Sequence, residues 1–423
     1  MTRRPHSPRG RSWSQALQAR AFYAGGAVLR SLHLYSVSFD ESGLMETARR
    51  HTALSSFGDE GFLPALREMT RSLRAEARLG FRSEVAERFW LIEILKRRLY
   101  IQADVERDPG ILEEPIPRPL FVLGMPRSGT TLLQHLLQAD EGVRWLHPWE
   151  IDEPQPTVEE GARDPREERF IRRIEQSRGE LSELDKIHAL DSPADCDLLF
   201  LPTFYANLQT VSLHVPSYDR WLEGRSEEEW QGPYGFYRLQ LQRLQRYRPT
   251  GSHWVLKSPL HLGHLPALLA TFPHARLVHL HRDPKKAVAS TCSMVTAHRL
   301  QKTRKVDRGE VGRFIAGRLE RRVEAAMRAR EEVPADQIVD VLYPDLLSDP
   351  RGTVERIYDH FGMEVGPAMV QGMEEHLREN PQHKRGVHRY SLEQFGLSGG
   401  DLDRRFEAYR SAFGVATEGN GRT

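Results

Sequence analysis

Residues 120–131 read LFVLGMPRSGTT, an apolar run that ends in a turn rich in glycine, serine and threonine. Such a run is typical of a buried strand that leads into a phosphate-binding loop and then into a helix. A Walker loop would carry a lysine after its second glycine, but here Thr130 follows Gly129 and the cation is Arg127. The sequence therefore predicts a loop for a phosphate-like anion, and not for the β- and γ-phosphates and magnesium of a nucleoside triphosphate.

Leucines recur at helical spacing directly after this loop, which predicts a helix that begins near Gly129; they are Leu132, Leu133, Leu136 and Leu137. The first N–H groups of a helix have no partner within the helix, and together with the positive end of the helix dipole they attract an anion. Hydroxyl donors are added by Ser128, Thr130 and Thr131. Arg127 adds a guanidinium that stays charged at any working pH. An ordinary glycine turn is the plainer alternative.

A second strand-and-turn pattern occurs at residues 275–294, ARLVHLHRDPKKAVASTCSM. Its apolar run ends at Arg282, and the next two residues, Asp283 and Pro284, are favourable for the N-cap and the first position of a helix. Ser290 follows Arg282 by eight residues, so the two side chains converge only if the turn folds the arginine over the helix. The plainer alternative is a surface arginine and a small serine that packs within the helix.

Both stretches resemble the nucleotide-binding motifs of the sulfotransferases, which use 3′-phosphoadenosine 5′-phosphosulfate (PAPS) as sulfuryl donor. The first is similar to the 5′-phosphosulfate loop, and this resemblance implies donor contacts from Arg127, Ser128, Gly129, Thr130 and Thr131. For the second, the resemblance implies that Arg282 and Ser290 hold the 3′-phosphate. It also implies PAPS as co-substrate, no metal, and a small-molecule acceptor with a hydroxyl or an amine.

A third stretch, residues 383–397, reads HKRGVHRYSLEQFGL and is similar to a segment of bacterial sulfotransferases. The resemblance implies that Lys384, Arg385 and Gly386 form a basic loop that closes on the 3′-phosphate. A solvated charged surface is the alternative interpretation of this stretch.

The resemblance further implies catalytic roles for two cations. Arg127 takes the place of a lysine that contacts the bridging oxygen in cytosolic sulfotransferases. Lys257, in the stretch WVLKSP, is placed like the lysine of the family's K-T-H-L-P stretch. This resemblance implies that Lys257 contacts the sulfuryl group. The histidine of that stretch is replaced by Pro259, which cannot accept a proton, so the general base must lie elsewhere.

Glu150 is the residue that the resemblance implies as general base, because tyrosylprotein sulfotransferases have a similar L-K-S stretch and use a glutamate. The neighbouring Trp149 offers an apolar environment that would raise the pKa of Glu150 towards a useful value. The alternatives are three histidines, His147, His188 and His261, or that Glu150 is an ordinary surface carboxylate.

Apolar runs alternate with helical stretches after residue 116, which predicts an α/β fold with a parallel β-sheet flanked by helices, similar to P-loop nucleotide-binding folds. The predicted strands are 120–123, 254–256, 276–280 and 338–342. Ligands bind beyond the carboxyl ends of such strands, where Arg127, Lys257 and Arg282 all lie.

The predicted organisation has four parts: a disordered tail over 1–12, an N-terminal helical region over 13–115, the α/β domain over 116–400, and a C-terminal helix and tail over 401–423. In the helical region, apolar residues at helical spacing predict one buried stripe; they are Val85, Phe89, Ile92, Leu95 and Leu99. The aromatic-rich stretch 188–248 is where we expect the acceptor pocket, although most of its aromatic residues fit an ordinary core.

Composition is compatible with a soluble cytoplasmic enzyme. The 423 residues carry a net charge of +1, which gives no reason to expect a nucleic acid partner. The two cysteines suit a reducing compartment, and no run approaches the roughly 18 apolar residues of a transmembrane segment. The sequence does not decide whether the protein forms a homo-oligomer.

Two other functions compete with the main prediction. A P-loop kinase or NTPase would need a lysine after Gly129, which is absent, and a carboxylate for magnesium, for which Asp340 is the candidate. The second alternative is a catalytically inactive binding protein on the same fold. The absence of Arg127 or Arg282 would favour it, but both residues are present.

Overall fold

The computed structural model describes residues 36–154, 164–177, 194–248, 252–380 and 390–418. Five parallel strands form a sheet in the order β2-β3-β1-β4-β5. They are β1 (Leu120–Gly124), β2 (Val143–Arg144), β3 (His253–Lys257), β4 (Arg276–His281) and β5 (Ile338–Leu342). The four predicted strands are confirmed. Strand β2 was not predicted, because two residues give no periodic signal.

Seventeen α-helices surround this sheet in the described part of the chain. Those before β3 are α1 (Glu41–Thr52), α2 (Leu63–Glu76), α3 (Phe81–Arg107), α4 (Thr130–Leu137), α5 (Pro148–Asp152), α6 (Pro165–Ser177), α7 (Leu208–Ser212), α8 (Pro216–Glu223) and α9 (Glu227–Tyr247). Those after β3 are α10 (Leu265–Thr271), α11 (Pro284–Lys302), α12 (Arg308–Arg330), α13 (Tyr343–Ser348), α14 (Pro350–His360), α15 (Pro367–Glu379), α16 (Gly399–Arg405) and α17 (Glu407–Phe413). Short 3-10 turns include Cys196–Thr203 and Pro259–Gly263.

The central strand β1 is buried on both faces, which explains why it reads as a continuous apolar run. Leu120 and Val122 belong to a core that includes residues of α4, α14 and α15. Phe121 and Leu123 face the larger core on the other side of the sheet, which the N-terminal helices also share. The predicted α/β fold with helices on both faces is therefore confirmed.

Helix α3 departs from the predicted stripe at Phe89, and Val85 is only half-buried. Ile92, Leu95 and Leu99 are buried as expected, but Phe89 is 61% exposed. At that level of the helix the buried side chain is Glu87, which forms an ion pair with Lys302 of α11. The prediction for Phe89 was wrong, because a helix of 27 residues packs against different partners along its length.

The predicted disordered tail over 1–12 lies outside the described residues. Near the C-terminus, two short helices, α16 and α17, lie where the sequence predicted one. Across the described ranges, we find no helix that combines the length and the apolar character needed to cross a bilayer.

Candidate functional site

The loop between β1 and α4 requires both of its glycines. Gly124 has a φ of +149°, and a Cβ there would lie 2.5 Å from the carbonyl oxygen of Leu280 in β4. Gly129 has a φ of +96°, and a Cβ there would lie 2.7 Å from the ring of Tyr343. Strand β4 and helix α13 thus approach the loop so closely that a side chain at either glycine would displace them.

The interior of this loop is polar and incompletely satisfied. Ser128 is fully buried, and its Oγ has no hydrogen-bond partner among the described residues. Helix α4 begins at Thr130 without a side-chain cap, so its first N–H groups point into the loop. A buried hydroxyl without a partner is uncommon in folded proteins. The hydroxyl and the helix N-terminus together fit a bound anion.

The two sequence motifs meet in the structure. Strands β1 and β4 are parallel neighbours, so the turns that follow them lie side by side at the carboxyl ends of the strands. Arg127 donates from Nε to Ser290 Oγ at 3.1 Å, and Arg282 donates from an Nη atom to the backbone oxygen of Arg127 at 2.8 Å. Asp283 caps α11 by accepting from the Lys285 N–H at 2.9 Å, as its place before Pro284 predicted.

Arg282 is held by the C-terminal segment. Its Nε and one Nη donate to the two carboxylate oxygens of Glu418, at 2.9 and 3.0 Å. The guanidinium also lies 4.0 Å from the ring centre of Tyr343. The backbone N–H of Glu418 in turn donates to Asp283 at 2.8 Å. A carboxylate thus makes with Arg282 the bidentate contact that a phosphate would make.

Lys257 lies at the carboxyl end of β3, beside Val122 of β1, and its side chain is buried. Burial and, after it, the positive charge of Arg127 lower the pKa of Lys257 to about 7. The ammonium group forms an ion pair with Asp195, which opposes that decrease. We therefore expect Lys257 to be charged while the pair is intact. Asp195 was not among the residues predicted from the sequence.

Glu150 occupies a different environment from the one predicted. One carboxylate oxygen forms a buried ion pair with Arg144, and the other accepts from the backbone N–H of His147 at 3.0 Å. Burial favours a higher pKa, but Arg144 and His147, through their charges and hydrogen bonds, together hold the pKa of Glu150 below its ordinary value. The expected increase in pKa was wrong, since no sequence pattern indicates that Arg144 pairs with Glu150. This geometry favours a structural role, and the assignment of Glu150 as general base stays a prediction.

The alternative histidines are poorly placed to accept a proton. Burial lowers the pKa of both His147 and His261 to about 3. His261 lies in the core, with Nδ1 at 2.9 Å from the Tyr234 hydroxyl and Nε2 at 3.5 Å from Cys196 Sγ. His188 lies outside the described residues, and so do Lys384, Arg385 and Gly386.

The aromatic stretch before β3 forms core and not an open pocket. Its largest rings are buried and pack edge to face; the buried members are Phe200, Phe204, Tyr205, Tyr218, Trp230, Tyr234 and Tyr237. A small cleft beside this core has a mixed lining of apolar and charged residues, which include Arg97, Glu150, Leu198, Leu199 and Arg243.

Asp340, the candidate magnesium ligand, is already neutralised. It accepts from Arg330 at 2.8 Å and lies 2.8 Å from Nε2 of His281. The carboxylate that a kinase would need is therefore bound to a guanidinium, and the loop contains no lysine after Gly129. The structure does not favour a P-loop kinase.

A family model described as "Sulfotransferase family" matches residues 119–367, which is more than half of the chain. The chain belongs to the sulfotransferase family. The resemblance that the sequence motifs carried is thereby confirmed, and the protein is an enzyme of this class.

Solved structures of two mycobacterial sulfotransferases share its fold. STF9 from Mycobacterium avium is 26% identical, with a TM-score of 0.82, and the match covers 91% of this chain and 100% of that one. STF1 from Mycobacterium tuberculosis is 29% identical, with a TM-score of 0.73, and the match covers 88% and 99%. The omega-hydroxy-beta-dihydromenaquinone-9 sulfotransferase Stf3 of Mycobacterium bovis is 25% identical over 291 residues, which is 65% of this sulfotransferase and 71% of Stf3.

Three contacts of this sulfotransferase's site have no signal in the sequence: Asp195 on Lys257, Glu418 on Arg282, and Arg144 on Glu150. The partners are separated by 62 and 136 residues in the first two pairs, and single acidic residues are common in this chain. Only the folded chain brings them together.

Proposed function

We propose that this sulfotransferase transfers a sulfuryl group from PAPS to a hydroxyl, or an amine, of a small-molecule acceptor by in-line displacement. One observation carries the proposal. The two nucleotide motifs are joined by direct hydrogen bonds from Arg127 to Ser290 and from Arg282 to the backbone of Arg127. A donor with anionic groups at both ends requires this arrangement of two anion sites along one edge of the sheet.

The loop would bind the 5′-phosphosulfate and the second motif the 3′-phosphate. In this proposal the helix N-terminus, Gly129 and the hydroxyl groups of Ser128, Thr130 and Thr131 contact the sulfate end. Arg282 and Ser290 contact the 3′-phosphate, and Lys384, Arg385 and Gly386 close over it. Ser128 supports this assignment, because its buried Oγ has no partner among the described residues.

The chemistry depends mainly on position and charge. The acceptor oxygen attacks sulfur while the bond from sulfur to the bridging phosphate oxygen breaks, and negative charge increases on that oxygen. Arg127 and Lys257 are the cations we assign to the bridging and sulfuryl oxygens. A donor directed at developing charge contributes about 3 kcal/mol to the transition state. Arg127 is exposed, whereas Lys257 is buried.

For the acceptor we propose a hydroxylated molecule with an apolar body. One observation supports this class: the name of Stf3, which acts on a hydroxylated menaquinone. A screen of hydroxylated polyprenyl, steroid and sugar acceptors with radiolabelled PAPS tests it. Transfer to sugars alone would contradict this acceptor class.

The donor assignment is tested by calorimetry with 3′-phosphoadenosine 5′-phosphate (PAP), adenosine 5′-phosphate and ATP with magnesium. We expect tight binding of PAP and weak binding of the other two. Arg282→Ala should reduce the preference for PAP over adenosine 5′-phosphate at least tenfold, because alanine cannot replace a bidentate phosphate contact. Arg276→Ala removes a charge from the opposite end of β4 and should leave the preference unchanged. Binding of ATP with magnesium in place of PAP would contradict the proposal.

A further inference from the structure

Asp195 lies beside the buried ammonium group of Lys257. The backbone fixes its position: the N–H of Ala194 donates to the Leu146 oxygen at 3.1 Å, and the Asp195 oxygen accepts from the Leu198 N–H at 3.1 Å. Asp195 is the N-cap of the 3-10 turn Cys196–Thr203, yet its side chain makes no capping bond. The carboxylate is therefore directed to Lys257 and not to the turn.

Exposure distinguishes this carboxylate from that of Glu150. The side chain of Asp195 is 30% exposed, whereas that of Glu150 is 1% exposed. Both oxygens of Glu150 are engaged by Arg144 and the His147 N–H. Lys257 is the one side-chain partner that the described residues give to Asp195. A base must reach the proton that it accepts, and of these two carboxylates only Asp195 can be approached from solvent.

We propose that Asp195 is the general base of the transfer, an assignment that rests on the proposed function. The acceptor O–H proton passes to a carboxylate oxygen of Asp195 as the acceptor oxygen forms its bond to sulfur. The bond between sulfur and the bridging oxygen breaks with its electron pair, and PAP leaves. Lys257 pairs with this carboxylate and ends the strand beside β1, which leads into the anion loop. In this proposal the one cation orients the base and faces the sulfuryl group.

The test compares Asp195→Asn with two controls. Asp403→Asn removes another carboxylate from a lysine, since Asp403 forms a 3.0 Å ion pair with Lys285. Glu150→Gln tests the competing assignment. The probes are PAPS with phenol, PAPS with 4-nitrophenol and PAPS with water as the only acceptor. PAP release is followed by chromatography across pH, and PAP affinity is measured by calorimetry.

The effect of removing the base on turnover should depend on the acceptor. Asp195→Asn should lower turnover at least a hundredfold with phenol or water, at nearly unchanged PAP affinity. The loss should be much smaller with 4-nitrophenol, which ionises near neutral pH and needs no base. The decrease of kcat/KM at low pH should also disappear. A partner that only positions Lys257 would slow both phenols equally and keep the acidic limb of the profile.

Equal losses with the two phenols, or an unchanged acidic limb, would overturn the assignment. The same acceptor dependence in Glu150→Gln and not in Asp195→Asn would move the base to Glu150. If Asp195→Asn does not fold, Asp195→Glu replaces it and should retain the acidic limb with a shifted midpoint; an unshifted midpoint would overturn the assignment. If the wild-type enzyme neither binds PAP nor releases it from PAPS, the proposed function itself fails.

Discussion

Arg127 differs from its surroundings in two respects. It has a left-handed backbone with a φ of 69°, although it is not glycine, and its guanidinium crosses to Ser290 of the second motif. A non-glycine residue with positive φ is uncommon and is often found where function requires it. The loop therefore accepts backbone strain at the residue to which we assign charge stabilisation.

Replacing Arg127 should affect turnover more than folding. For Arg127→Ala we expect a loss of about a hundredfold to a thousandfold in kcat, typical for removal of one donor to developing charge. Arg127→Lys keeps the charge and should lose less. Steady-state assays with PAPS measure both, and thermal melting checks the fold. A normal rate in Arg127→Ala would mean that the loop has a different role.

The fold and the site both depend on the loop between β1 and α4. Gly129→Ala places a Cβ against Tyr343 and forces alanine into the left-handed region, which costs roughly 1–2 kcal/mol before any clash. We expect a lower unfolding temperature and weaker PAP binding.

A matched control for Gly129→Ala lies in helix α9. Gly235→Ala is exposed, and its Cβ has no atom within 4 Å. It should increase the free energy of unfolding by about 0.5–1 kcal/mol. Equal effects of the two substitutions in urea unfolding would show that the loop glycine is not required.

At the scale of elements, the sequence predicted what is local and missed what is long-range. Apolar runs located four strands, and the Asp283-Pro284 pair located the start of α11, because these signals lie within a few residues. Phe89 was misjudged because the buried residue beside it is Glu87, whose partner Lys302 lies 215 residues away. Glu150 was misjudged although Arg144 is only six residues away, because no local pattern shows that the two side chains pair. The same reason explains why Asp195 could not be found beforehand.

For the whole molecule, buried neutral histidines predict sensitivity to acid. Burial lowers the pKa of His261 to about 3 and that of His253 to about 4, whereas both have a pKa near 6.5 when unfolded. Between those values the unfolded chain binds protons that the folded chain does not, so stability falls as pH falls below about 6.5. We expect a loss of roughly 1 kcal/mol per histidine between pH 7.5 and pH 5.5.

Urea unfolding at the two pH values measures this loss. His261→Gln removes one titrating group. The loss of unfolding free energy between pH 7.5 and pH 5.5 should therefore be smaller in this variant by roughly 1 kcal/mol. An unchanged difference would mean that His261 is protonated equally in both states.

Glu418 occupies the face of Arg282 to which we assign the 3′-phosphate in the proposed function. The C-terminal segment is tethered to the fold at two points. Asp283 accepts from the Glu418 N–H, and three residues earlier the backbone oxygen of Val415 accepts from Arg410. A tethered anion acts at an effective concentration of about millimolar. If the 3′-phosphate binds Arg282 as we propose, the nucleotide has to displace Glu418 first. Glu418→Gln should therefore tighten PAP binding several-fold in calorimetry. Unchanged affinity would show that displacing Glu418 from Arg282 requires no free energy. A fusion partner attached at that end would alter the same competition, so donor affinities are comparable only between proteins with the same C-terminus.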